Sequence, residues 1–289
     1  MINRRQFLGT ALIPLAGTVF AQDTNATLTD KLKQIEASTG GRLGVSVLDT
    51  GSGKRAGHRE NERFAMCSTF KFLASALVLS RVDKGLEQLE RRIVFKQSDL
   101  VDYSPAVEKH LGGTGMSMAE LCEAAVTLSD NTAANTLLKS FGGPRAFTSY
   151  ARSLGDKFTR LDRIEPALNE ARVGDPRDTT TPAAMADTMR KTLLGDALTP
   201  ASRATLLRWL DANTTGGERI RAGVPTDWIV GDKTGTGNNG TANDIAIIRP
   251  PGRAPIMLTV YLTGSKGTAT ERSAAIASVA RAVSEWTQA

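Results

Sequence analysis

The chain has 289 residues, 40% of them hydrophobic, and 36 basic against 30 acidic side chains for a formal net charge of +6. That is ample apolar material for one large domain or two ordinary ones. The charge is mild and interspersed, which argues against nucleic acid as a partner, and two histidines and two cysteines at no metal-ligand spacing argue against a zinc centre or a Ser-His-Asp triad, so no metal or other cofactor is expected.

Residues 1–21 have a charged start, Met1-Ile2-Asn3-Arg4-Arg5, then an apolar stretch from Phe7 to Phe20 that is too short to span a bilayer. They are expected to be a signal peptide cleaved near Ala21, and Arg4-Arg5-Gln6-Phe7-Leu8 resembles a twin-arginine export signal. Its removal would take away two arginines and no acids, leaving 34 basic against 30 acidic side chains, a formal +4. No later run is apolar enough to anchor the chain, so the expected product is a free, monomeric protein in the periplasm or secreted.

Leu28, Leu32 and Ile35 recur at helical spacing up to Gly40-Gly41. A hairpin follows, with Leu43, Val45 and Val47 alternating before a turn at Asp49–Gly53 and a return from Lys54 to Arg59. From Ser68 to about Leu210 the pattern is helical: a helix from Ser68 to near Gly85, then Met118–Leu128, Thr132–Lys139, Pro144–Leu154, Pro182–Leu193 and Pro200–Asn213. Strands return at Trp228–Gly235, Ala242–Arg249 and Ile256–Leu262, and a last helix runs from about Thr270 to Trp286. This order predicts an α/β two-domain fold. A five-stranded antiparallel sheet flanked by helices (residues 22–60 and 214–289) is interrupted by an inserted all-α domain (61–213). The irregular stretch 157–181 belongs to the insertion, and loops of that length are usually functional.

Within the helical block, Cys67 to Leu79 is apolar on nearly every face, yet it contains Lys71. A buried ammonium needs partners, and Ser68, three residues back, shares its face, which offers a hydroxyl nucleophile beside an amine whose pKa burial would lower. S-x-x-K is also frequent by chance, and a lysine at a helix end can snorkel to solvent. Three further motifs follow in order: Ser129-Asp130-Asn131 at a helix junction, Glu165-Pro166-Ala167-Leu168-Asn169 in the long loop, and Lys233-Thr234-Gly235 on a strand. Singly these read as an N-cap, a solvated carboxylate and a strand end. Together they are specific.

The set resembles the class A serine β-lactamases, whose S-x-x-K, S-D-N and K-T-G motifs are established markers, over residues 25 to 289. The resemblance implies hydrolysis of the β-lactam ring of penicillins and cephalosporins. Ser68 would be the nucleophile, with Lys71, Ser129, Glu165 and Asn169 also catalytic and the backbone N–H groups of Ser68 and Thr236 forming the oxyanion hole. Tyr103, Asn131, Lys233, Thr234, Gly235, Thr236 and Arg219 would bind substrate. The arginine that relatives aim at the substrate carboxylate occurs at either of two positions; Ala242 occupies one here, which leaves Arg219, whose alternative reading is an exposed helix-end arginine. The resemblance also implies a cis Glu165–Pro166 bond and an Arg163–Asp178 ion pair at the loop ends. Ser75 and Gly237 stand where relatives carry the partners of Cys122 and Cys67, so both thiols are expected free and buried. Two rival readings share the first, second and fourth motifs: a penicillin-binding D-Ala-D-Ala peptidase and a non-hydrolysing β-lactam sensor. Glu165 and Asn169 argue against the first, and the lack of a later membrane span argues against the second.

Overall fold

A computed structural model describes residues 24–288; the expected signal peptide and its cleavage site lie outside them. The five-stranded sheet is entirely antiparallel, in the order Arg55–His58, Arg42–Asp49, Ile256–Thr263, Thr241–Arg249, Ile229–Gly237. Its central strands are buried on both faces, which is why they read as continuous apolar runs. Along Thr241–Arg249, Ile245 and Ile247 face one core while Ala246 and Ile248 face the other. The second core is closed by Leu28 and Leu32 from helix Thr24–Thr39 and by Ile276, Val279 and Val283 from helix Ala269–Gln288.

The other face packs on the helical block. Its axis is helix Phe70–Asp83, buried from Phe70 through Ser80 and surrounded by Leu121, Leu137, Phe147 and Met185 of the helices around it. Those helices are Met118–Thr127, Asn131–Phe141, Gly143–Ser153, Pro182–Leu193 and Pro200–Asp211, each starting and ending within two residues of the bounds read from the sequence. Two-residue strand pairs, Phe64–Ala65 with Thr179–Thr180 and Arg92–Ile93 with Met116–Ser117, and a short helix Ile220–Gly223 lack a sequence signal because they are too short for either period to repeat.

One expected boundary differs in a way that matters. Cys67–Thr69 forms a 3₁₀ turn and the α-helix begins only at Phe70, so Ser68 stands on a tight entry turn, preceded by Cys67 at a positive φ of 46°. The sheet holds this turn in place. Asn243 Nδ2 donates to the carbonyls of Ala65 and Met66 at 2.9 and 3.0 Å, and a Cβ on Gly235 would lie 2.7 Å from Met66 O, so only glycine lets the edge strand come so close.

Candidate active site

Ser68, Lys71, Ser129, Glu165 and Lys233 come together where the helical block meets the edge strand Ile229–Gly237, and every one is almost fully buried. Lys71 Nζ is the hub. It pairs with Glu165 Oε1 at 3.0 Å and donates to Asn131 Oδ1 at 2.6 Å, to Ser129 O at 2.7 Å and to Ser129 Oγ at 3.3 Å. Burial lowers its pKa, and the Glu165 carboxylate opposes that shift. The direct Ser68–Lys71 contact expected from helical spacing is not made. Ser68 Oγ instead donates to Glu165 Oε1 at 3.1 Å, the same carboxylate oxygen that pairs with Lys71 Nζ at 3.0 Å.

The elements explain these positions. Asp130 caps helix Asn131–Phe141 through Ala133 N at 2.8 Å, while its second oxygen accepts the N–H groups of Ala106 and Val107 at 2.9 and 3.0 Å. The middle residue of the S-D-N motif thus fixes the segment that carries Tyr103 to the helix that carries Asn131. Asn131 Nδ2 donates to Asp102 O at 2.7 Å, its N–H to Tyr103 O at 3.0 Å, and Tyr103 itself is 60% exposed. Ser129 has a positive φ of 58°, and its hydroxyl also accepts from Lys233 Nζ at 3.1 Å. Two ammonium groups therefore share one hydroxyl. Lys233 is fully buried, and burial together with the nearby Lys71 charge pushes its pKa down to about 7.

Glu165 lies in the long loop and is joined to Pro166 by a cis bond, and its second carboxylate oxygen accepts from Asn169 Nδ2 at 2.5 Å. Asn169 Oδ1 is buried without a partner. The loop ends are joined as the resemblance implies: Arg163 Nε pairs with Asp178 Oδ2 at 2.6 Å, and Asp178 Oδ1 accepts the N–H groups of Asp162 and Arg163. A residue not identified from the sequence, Asn135, brackets Glu165: its Nδ2 donates to Glu165 O and its Oδ1 accepts from Glu165 N, both at 2.9 Å. Its signal was present in the sequence, since Asn135 lies four residues after Asn131 and so shares its helix face.

Arg219 reaches the edge strand, donating to Thr236 Oγ1 at 2.8 Å, Gly235 O at 3.0 Å and Asn243 O at 2.7 Å. It is not a free helix-end side chain. Thr234 Oγ1 hydrogen-bonds to Thr215 Oγ1. Cys67 and Cys122 are free and buried, and burial raises the pKa of each; a Cβ on Gly237 would meet Cys67 Sγ at 2.6 Å. Among the described residues no group of three His, Cys, Asp or Glu is placed to hold a metal ion, and no helix is long and apolar enough to cross a membrane.

Comparison with known proteins matches residues 27–287 to the β-lactamase enzyme family. β-Lactamase CTX-M-8 of Citrobacter amalonaticus is 47% identical over 287 residues, which cover 98% of each chain. β-Lactamase OXY-1 of Klebsiella oxytoca is 47% identical over 286 residues, 98% of this chain and 97% of that one. Among solved structures, an ancestral class A β-lactamase (GNCA) is similar with a TM-score of 0.88 at 64% identity, over 89% of this chain and 99% of that one.

Proposed function

This chain belongs to the class A β-lactamases, and we propose that it hydrolyses the β-lactam ring of penicillins and cephalosporins through a Ser68 acyl-enzyme. The observation that carries the reading is a single carboxylate, Glu165, hydrogen-bonded at once to the Ser68 hydroxyl and to Asn169 and ion-paired with Lys71. Acylation needs a base for the serine, and deacylation needs a base for a water. Glu165 serves the second, and Lys71 or Glu165, 3.0 Å apart, serves the first. Ser68 Oγ attacks the lactam carbonyl as its proton passes to that base, and the backbone N–H groups of Ser68 and Thr236 take the developing oxyanion. As the C–N bond breaks, Ser129 gives its hydroxyl proton to the ring nitrogen and is resupplied by Lys71, 3.3 Å away, which receives the Ser68 proton directly or from Glu165, 3.0 Å away, so that Glu165 is a carboxylate again. In the second half, Glu165 draws a proton from a water oriented by Asn169, the water attacks the ester carbonyl, and as the C–O bond breaks Glu165 passes that proton to Ser68 Oγ, 3.1 Å away, which frees the serine and restores the carboxylate.

Binding falls to the edge strand and the cleft mouth. The Lys233 cation and the Thr234 and Thr236 hydroxyls hold the substrate carboxylate, with Gly235 keeping the strand close and Arg219 setting Thr236 from below. Asn131 holds the acylamide side chain, and Tyr103 lines the mouth. Arg219 donates to the carbonyls of Gly235 and Asn243, so its part is positioning as much as charge. The protein acts as a monomer without cofactor or nucleic acid, on the periplasmic side or outside the cell after cleavage near Ala21, with residues 22–60 and 214–289 as the sheet domain and 61–213 as the helical insertion.

Two experiments test this. Purified mature protein should turn over a chromogenic cephalosporin steadily; a single stoichiometric burst would favour a penicillin-binding peptidase or a sensor. Glu165→Ala should accumulate a covalent Ser68 adduct visible by intact mass, and undiminished turnover by that variant refutes the mechanism.

A further inference from the structure

Away from the catalytic cleft, a cavity of about 340 Å³ opens between the loop segment 171–177 and the chain around Arg42 and Phe64. Five arginines, Arg42, Arg63, Arg163, Arg172 and Arg177, line it against two carboxylates, Glu62 and Asp175. Like charges gathered around a concavity repel one another and focus a positive potential into it. Two of the five are spent locally: Arg163 on Asp178 and Glu170, and Arg177 on Asp175 at 2.7 Å. Three keep unused donors. Arg63 has no carboxylate partner, its Nη1 donating only to Phe158 O at 2.8 Å and Thr179 Oγ1 at 3.0 Å. Arg172 makes one exposed contact, to Glu170 at 3.2 Å. Arg42 lies 4.2 Å over the Phe64 ring, and its Nε is buried without a hydrogen-bond acceptor, the nearest carboxylate oxygen of Glu62 being 3.5 Å away.

We propose that this cavity binds a compact multivalent anion of the phosphate class, free or as a phosphate ester. Guanidinium forks match phosphate oxygens two at a time, and the cavity has room for more than one phosphate group. Such an anion would join Arg172 of the loop to Arg63 of the underlying chain. It would tether the segment that follows Asn169 to the sheet edge, beside the hydrogen bond that Asn239 Nδ2 donates to Ala171 O at 3.3 Å.

The test is calorimetric titration of the full mature protein with pyrophosphate and with inorganic phosphate at low ionic strength, alongside co-sedimentation with phosphatidylglycerol vesicles. Pyrophosphate should bind saturably and one to one, and should slow amide exchange across residues 171–177. Arg63→Ala and Arg172→Ala should each weaken binding about tenfold or more, as expected for loss of a charge-assisted pair; Arg172 is exposed, so that variant tests the site even where Arg63→Ala fails to fold. Arg281→Ala, on the exposed face of the C-terminal helix, should bind as the parent does. Vesicle binding that Arg172→Ala abolishes, without binding of free pyrophosphate, supports the site with a lipid headgroup as the source. Absence of saturable binding in both arms overturns the proposal, as does an equal loss in Arg281→Ala, which would mean general surface charge.

Discussion

The two halves of the candidate site are held by different kinds of structure. Ser68, Lys71, Ser129 and Lys233 ride on a buried helix and its entry turn, a helix junction and a sheet strand, whose backbones are bonded by their own ladders. Glu165 and Asn169 sit in an irregular stretch with only a 3₁₀ turn at Ala167–Glu170, and side chains from elsewhere hold it: Arg163 with Asp178, Asn135 on the Glu165 backbone, and Asn238 N donating to Asn169 O at 2.9 Å. The serine side therefore fails only when the core fails, whereas the water-activating side can be lost through one side chain at little cost to the fold. Acylation and deacylation should thus be separable by mutation.

Asn135→Ala tests that separation most severely. It removes both brackets on the Glu165 backbone, and a displacement of about 1 Å can cost about 10²-fold in rate, so deacylation should slow by that order while acylation changes far less. Burst kinetics with a chromogenic cephalosporin measure both, and equal losses in the two steps would break the comparison. Arg163→Ala leaves the buried Asp178 carboxylate with backbone donors alone. Discounted for the partial exposure of Arg163, the loss should be about 2 kcal/mol in chemical denaturation, with amide exchange across residues 161–178 rising ahead of global unfolding. Exchange that rises only with global unfolding would show the loop to be part of the core.

Arg219→Ala acts on the other half. Losing the donors to Thr236 and to two strand carbonyls should lower kcat/KM for a penicillin about tenfold, and an unchanged value would return Arg219 to a purely structural role. The smallest effect is one of pH. Lys233 is charged only below a pKa of about 7, so its hold on a substrate carboxylate fades as pH rises through that value, and kcat/KM should decline on the alkaline side. Lys233→Arg, permanently charged, should remove that limb. The same shift acts on folding with a definite sign. The unfolded chain keeps this proton up to the ordinary lysine value of 10.5 while the native state gives it up near 7, so this group makes stability rise with pH across that window.

Much of this was legible in the chain. Apolar periodicity carries the long helices and the sheet strands because both faces of the sheet and all faces of the central helix are buried. A lysine inside the most apolar helix pointed to the site only together with the three later motifs, and the partners such a group needs are Glu165, Ser129 and Asn131. The two-residue strands and the four-residue helix Ile220–Gly223 stayed hidden, being too short for a period to repeat. Asn135 and Asn243 were passed over because an asparagine that binds backbone looks, in a sequence, like any polar residue.

By itself the sequence determined the residue types, their order and the need to neutralise Lys71, since these follow from local pattern and from the cost of burying charge. Only the tertiary structure decided which group Ser68 would bond. The 3₁₀ turn at Cys67–Thr69 is tied to the sheet by Asn243 and the close approach of Gly235, which fixes where the hydroxyl stands. The loop, pinned by Arg163 and Asn135, brings Glu165 from 97 residues away to meet it. Helical spacing links neighbours along the chain; a contact of that range depends on how separate elements pack.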